Sequence, residues 1–290
     1  MTTSPAPAAA ASPAAELARI EALATEIRTP CGSGSMVWRQ WGAPEAEPLI
    51  LLHGGFGSWN HWVRNVEVLA GHYRVIAADM PGQGDSDDPD QPYDADSLAA
   101  IVTDGLRRVT AEREPIRLMC FSFGSIIGGL VAAILGERVV SYTGVGAAGM
   151  GARSPVTQQM IRITPDMPAE EQARLRRHNL GILMFADEGN IDALADHIQE
   201  INMARNRIRS RPISLSDRLS RTFPLIRGRI NLIWGAEDVT AVGYFEARHA
   251  ALKAIQPEAG IVMRAGIGHW VQYEDADWFN ATALDLVGRS

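Results

Sequence analysis

A buried strand that stops at a serine and becomes a helix at once constrains this chain more than any other stretch. Residues 116–136 read IRLMCFSFGSIIGGLVAAILG. The mostly apolar run Ile116 to Phe121 predicts a strand with both faces covered. Ser122 ends it, and a small-residue helical pattern runs from Gly124 to Leu135. A serine pinned on so sharp a turn is a nucleophile elbow. The turn lifts the hydroxyl out of the sheet, and the helix N-terminus behind it favours negative charge. The usual pattern is Gly-x-Ser-x-Gly, whereas this chain has Cys120-Phe121-Ser122-Phe123-Gly124. The missing glycine weakens the motif, and an ordinary buried strand-turn-helix crossover is its competing explanation.

The surroundings predict an α/β protein. Short apolar strands at Leu49–Leu52, Val75–Ala78, Val139–Val145, Ile230–Trp234 and near Gly260–Met263 alternate with helical patterns at 98–109, 243–255 and 275–287. That alternation argues for a mostly parallel central sheet flanked by helices. A β-rich segment, Met36 to Trp41, precedes it, and Leu17, Ile20, Leu23 and Ile27 have helical spacing over 15–27. Residues 152–222 are helical and charged with no convincing strand, which predicts a helical lid inserted into a core of residues 15–151 and 223–290. Residues 1–14, rich in Ala, Pro and Ser, read as a disordered tail.

Composition excludes several function classes. A net charge of −7 without a basic block argues against nucleic acid as a partner. No apolar run of about 18 residues predicts a membrane span. Two cysteines, Cys31 and Cys120, suggest no disulfide framework and a reducing, cytoplasmic setting. There is no metal motif and no nucleotide-binding glycine pattern in its required context, so neither metal nor cofactor is expected. A small molecule is the expected partner, and a homodimer is possible.

In parallel sheets reactive groups gather in loops past the carboxyl ends of the strands. Four such loops carry chemistry here: His53-Gly54-Gly55-Phe56-Gly57, then Ser122, then Gly235-Ala236-Glu237-Asp238, then Gly266-Ile267-Gly268-His269-Trp270. Serine, aspartate and histidine follow in that order. Glu237 adjoins Asp238 and is the alternative acid. His53 suits a structural role in its turn better than a base. His61, His72, His178, His197 and His249 lack a matching context and are assigned to surface or core. Asp79, Asp85, Asp87 and Asp88 lie among Pro and Gly and suit a turn.

Order and flanks together resemble the α/β-hydrolase superfamily from about residue 36 onward. His53 to Gly57 matches its oxyanion loop, Asp79-Met80-Pro81-Gly82-Gln83-Gly84-Asp85-Ser86 its Asp-x-Pro-Gly-x-Gly-x-Ser turn, Trp234 to Asp238 its acid loop and Gly268-His269 its histidine loop. The resemblance implies an α/β-hydrolase fold with Ser122, Asp238 and His269 as a triad. It implies oxyanion donors on Phe123 and on Gly55 or Phe56.

Segments 268–280 and 55–65 look like those of meta-cleavage-product hydrolases, cofactor-free enzymes that cleave a carbon–carbon bond in vinylogous 1,5-diketones. Trp270 matches the tryptophan after that group's histidine. Phe121 stands where the group usually has asparagine. Gln199 falls near the place of its carboxylate-binding lid arginine, with Arg205, Arg207 and Arg209 just beyond. Phe121, Trp270, Arg205 and Arg207 are accordingly the expected substrate contacts, although a solvated helix face is the plainer explanation of the arginines. Ester cleavage and carbon–carbon cleavage of a diketone-like acid remain open. So do two rival classes, a non-catalytic small-molecule binding protein and a cofactor-free lyase.

Overall fold

The computed structural model describes residues 12–151 and 160–288. Its strands are β1 (Thr25–Cys31), β2 (Gly34–Trp41), β3 (Pro48–Leu52), β4 (Arg74–Asp79), β5 (Ile116–Phe121), β6 (Val139–Val145), β7 (Arg229–Gly235) and β8 (Gly260–Arg264). They form one sheet in the order β1-β2-β4-β3-β5-β6-β7-β8. β2 runs antiparallel to both β1 and β4, and every other pairing is parallel. Every residue of β3 and β5, at the centre, is buried.

The helices are α1 (Pro13–Glu21), α2 (Val66–Ala70), α3 (Ala95–Val109), α4 (Phe123–Leu135), α5 (Ala169–Leu183), α6 (Ala193–Arg205), α7 (Ser210–Ser214), α8 (Arg218–Thr222), α9 (Phe245–Ile255), α10 (Val271–Glu274) and α11 (Ala276–Gly288). Strand side chains alternate between faces, and the apolar residues divide accordingly. Ile50, Leu52, Ile76, Leu118 and Cys120 pack with α3, α4, α8 and α9. Leu49, Leu51, Val75, Met119 and Phe121 pack with α1, α2, α11 and residues of α5 and α6.

Two expectations at the N-terminus need correction. The helix predicted over 15–27 stops at Glu21, and Thr25–Cys31 is a strand. Pairing decides this: β1 meets β2 from Thr25↔Gln40 to Cys31↔Gly34 around a turn whose Gly32 has φ +53°. Long-range pairing overrides a helical spacing that Leu23 and Ile27 met by coincidence. The predicted tail is also too long. Ser12 caps α1 by accepting the Ala15 N–H at 3.2 Å, and Pro13 opens the helix, a position suited to a residue without an N–H. Residues 1–11 of that tail, and 152–159 of the predicted lid, lie outside the described residues. Between β6 and β7 the described chain is helical, as α5 to α8.

Candidate active site

Ser122 sits between β5 and α4 with φ 50° and ψ −116°. Ser122 and Phe56 are the non-glycine residues with positive φ among the described residues. L-residues avoid that region at a cost of about 1–3 kcal/mol, and such strain collects where a side chain must be aimed. Hydrogen bonds hold the turn: Ser122 N–H donates to Val145 O at 2.9 Å, and Ser125 N–H to Ser122 O at 2.9 Å. Gly124 is required, because a Cβ there would fall 2.4 Å from His53 O.

His269 lies past β8. Its Nδ1–H donates to Asp238 Oδ2 at 2.7 Å, and its Nε2 accepts the Ser122 hydroxyl at 2.9 Å. Asp238 is fully buried at the end of β7. Its other oxygen, Oδ1, accepts both the backbone N–H (2.9 Å) and the hydroxyl (2.7 Å) of Thr240. Burial opposes ionisation of Asp238, but the charge and hydrogen bond of His269 and the Thr240 bonds outweigh it. The carboxyl is held below its usual range. Glu237 is not the residue that meets the imidazole.

The loop after β3 approaches the same serine. A Cβ on Gly54 would fall 3.3 Å from Ser122 Cβ, and one on Gly55 would fall 3.7 Å from Phe123 Cβ. Gly54, Gly55 and Phe123 are thus gathered around Ser122, and Phe56 lines the same cavity as the serine. His53 is buried; its Nδ1–H donates to Gly54 O at 2.7 Å and its Nε2 accepts the Met80 N–H at 2.9 Å. With both nitrogens engaged inside the protein, it is a structural residue. Asp79 shapes the turn after β4, accepting from Trp59 N, Asp85 N and Arg39 at 2.8, 3.0 and 2.8 Å.

A cavity of about 640 Å³ opens over Ser122 and His269. Phe56 and Phe121 line it, with Met150, Met160, Leu183 and Met184. Three expected substrate contacts lie elsewhere. Trp270 is fully buried, stacked on Tyr273 at 4.2 Å, and donates its indole N–H to His61 O at 3.0 Å. Arg205 pairs with Asp85 at 2.7 Å. Arg207 pairs with Asp88 at 2.6 Å and donates to Ser86 O. The acidic turn at 85–88 draws both arginines away from the cavity. Arg211 and Arg248 line it instead.

A family model described as the Alpha/beta hydrolase family matches residues 49–282. The chain belongs to the alpha/beta hydrolase family. A 2-hydroxy-6-oxo-6-phenylhexa-2,4-dienoate hydrolase of Burkholderia cepacia is 26% identical to this hydrolase over 274 residues, covering 84% of this chain and 89% of its own. The dihydrolipoyllysine-residue acetyltransferase component of the Pseudomonas putida acetoin cleaving system is also 26% identical, covering 88% of this chain and 67% of its own. Among solved structures, a meta-cleavage product hydrolase from Pseudomonas fluorescens superposes with a TM-score of 0.71 at 22% identity, over 91% of this chain and 97% of that one. An esterase from Rhodococcus superposes with a TM-score of 0.70 at 20% identity, over 92% and 98%.

Sequence reasoning about the hydrolase passed over Thr240, Ser210, Arg211 and Arg248, and assigned to surface or core a His61 whose ring packs beside Phe121 and Trp270. An Asp-x-Thr step beside a predicted acid was a usable signal, because aspartate commonly accepts hydrogen bonds two residues on. Ser210, Arg211 and Arg248 carried none: α7 and α9 come to the cavity through tertiary packing alone.

Proposed function

We propose that this hydrolase cleaves a carbonyl compound by nucleophilic catalysis, with Ser122 as nucleophile, His269 as general base and acid, and Asp238 holding the imidazole. The observation that carries this is the pair of hydrogen bonds on His269, to Ser122 Oγ and Asp238 Oδ2. A serine hydroxyl is a weak nucleophile until a base takes its proton. His269 Nε2 accepts that proton as Oγ attacks, and Asp238 stabilises the imidazolium. Charge gathers on the carbonyl oxygen, where the N–H groups of Phe123 and of Gly55 or Phe56 act as donors. Each such donor is worth about 3 kcal/mol in the transition state. The proton then passes to the leaving group, and water activated by the same imidazole frees the acyl group from Ser122.

The substrate class is a bulky, partly apolar carbonyl compound that carries an acid group. Phe56, Phe121, Leu183 and the methionines supply the apolar wall. Arg211 lines the cavity with no ion-pair partner among the described residues. A relative named for hydrolysing a dienoate supports the same class. The bond cleaved is either an ester or the carbon–carbon bond of a diketone-like acid, and α5 to α8 serve as the lid.

Fluorophosphonate labelling and turnover of p-nitrophenyl esters and vinylogous diketones test this. Ser122→Ala should lose labelling and lower kcat by about 10⁴-fold or more while remaining folded. Labelling that persists in Ser122→Ala would remove the serine from the chemistry. Tight binding of a small ligand with neither labelling nor turnover would favour a receptor.

A further inference from the structure

Gly54 is held between two buried imidazoles. Its carbonyl accepts His53 Nδ1–H at 2.7 Å, and its N–H donates to His61 Nδ1 at 3.2 Å. The Gly54 carbonyl and the Gly55 N–H belong to one planar peptide unit, so fixing the first aims the second. His61 fixes the neighbouring unit, between His53 and Gly54. It also reaches the other loops of the site. Its ring lies edge-on to Phe121 at 5.5 Å and to Trp270 at 5.1 Å, and its carbonyl accepts the Trp270 indole N–H. The loop has yielded space to it, since a Cβ on Gly57 would fall 2.4 Å from His61 Cε1.

We propose that His61 is a positioning residue of this active site: a neutral imidazole, protonated at Nε2, whose Nδ1 holds the Gly54 amide and so keeps the 54–57 loop at the Ser122 oxyanion. The inference rests on the Ser122 mechanism above. The tautomer follows from geometry. Nδ1 faces an N–H and must be the unprotonated nitrogen, which leaves the proton on Nε2. Nε2 is buried with no hydrogen-bond partner among the described residues. Desolvation, then the neighbouring His53 and His269, hold the ring well below the ordinary imidazole range. Protonation would replace the acceptor that Gly54 needs with a second donor. An orphaned donor on Nε2 is an unfavourable arrangement that simple core packing by phenylalanine or leucine would avoid.

Two substitutions separate positioning from packing. His61→Phe keeps a flat ring but has no acceptor, whereas His61→Asn loses volume but can place Oδ1 near Nδ1. We expect His61→Phe to lower kcat and the fluorophosphonate labelling rate about tenfold with KM within about twofold, matching the loss of about 1.4 kcal/mol of oriented hydrogen bonding. His61→Asn should recover most of both rates despite being the less stable protein. Equal rates in the two variants, or rates that follow thermal stability alone, would overturn the proposal. ¹⁵N NMR of the wild-type protein at pH 7 gives a check that needs no variant: His61 should show a bare Nδ1 and a protonated Nε2, and the opposite tautomer would refute the assignment. Turnover that survives in Ser122→Ala would instead bring down the mechanism, whatever the His61 variants show.

Discussion

At the scale of single residues, Cys120 stands where an elbow serine usually has a glycine two positions earlier, and α4 makes room for it. A Cβ on Gly128 would fall 2.2 Å from Cys120 Sγ, so the helix carries the glycine that the strand lacks. Gly128→Ala should therefore destabilise the protein by about 1–3 kcal/mol through overpacking, although alanine is the better helix former. Adding Cys120→Gly should restore at least about 1 kcal/mol. A double-mutant cycle by urea denaturation measures this coupling, and additive effects would sink the idea. Ser122, Asp238 and His269, which the fold joins in one hydrogen-bonded chain, were legible in the sequence because each lies past a strand with a glycine within three positions. The Cys120–Gly128 exchange was not, since only the crossing of strand and helix brings the two positions into contact.

At the scale of elements, the segment between β6 and β7 distributes its arginines unequally. Arg205 and Arg207 tie the end of α6 and the chain after it to the acidic turn at 85–88, while Arg211 on α7 faces the cavity. Exposed ion pairs contribute about 0–1 kcal/mol, so Arg205→Ala with Arg207→Ala should lower thermal stability slightly and change KM less than about twofold. Arg211→Ala should raise KM for a carboxylate-bearing substrate about tenfold, the value of one charge-assisted hydrogen bond, and leave a neutral ester nearly unaffected. Steady-state kinetics on both substrates decide this, and equal effects on the two would assign Arg211 to structure. The helices themselves were readable from composition. Which of their arginines lines the cavity was not, because a solvated face and a cavity wall look alike when the partner surface is unknown.

At the scale of the whole molecule, the buried imidazoles set an acid limit to stability. Burial, followed by its neighbours, holds His61 well below its usual range, and burial likewise lowers His53. Both are neutral in the folded state, whereas the unfolded chain takes up their protons below about pH 6.5. The unfolded state then binds more protons, so stability is retained above that pH and falls below it, by up to about 1.4 kcal/mol per pH unit for each histidine. Asp238, held below its usual range, adds a loss in the same direction only at lower pH, as its own carboxyl takes up a proton. Urea midpoints at pH 7.5 and 5.5 should differ, and equal midpoints would refute the account.

Local pattern sufficed for the layered α/β architecture, the strands of its parallel centre and the three residues that meet in the Ser122–His269–Asp238 hydrogen-bonded chain. Strand periodicity, elbow composition and loop chemistry are all local properties. The N-terminal hairpin, the aim of each arginine and the pairing of Gly54 with two imidazoles waited on the folded chain. Each depends on which distant surfaces meet, and burial and hydrogen bonding between such surfaces leave no periodic trace in the residues that form them.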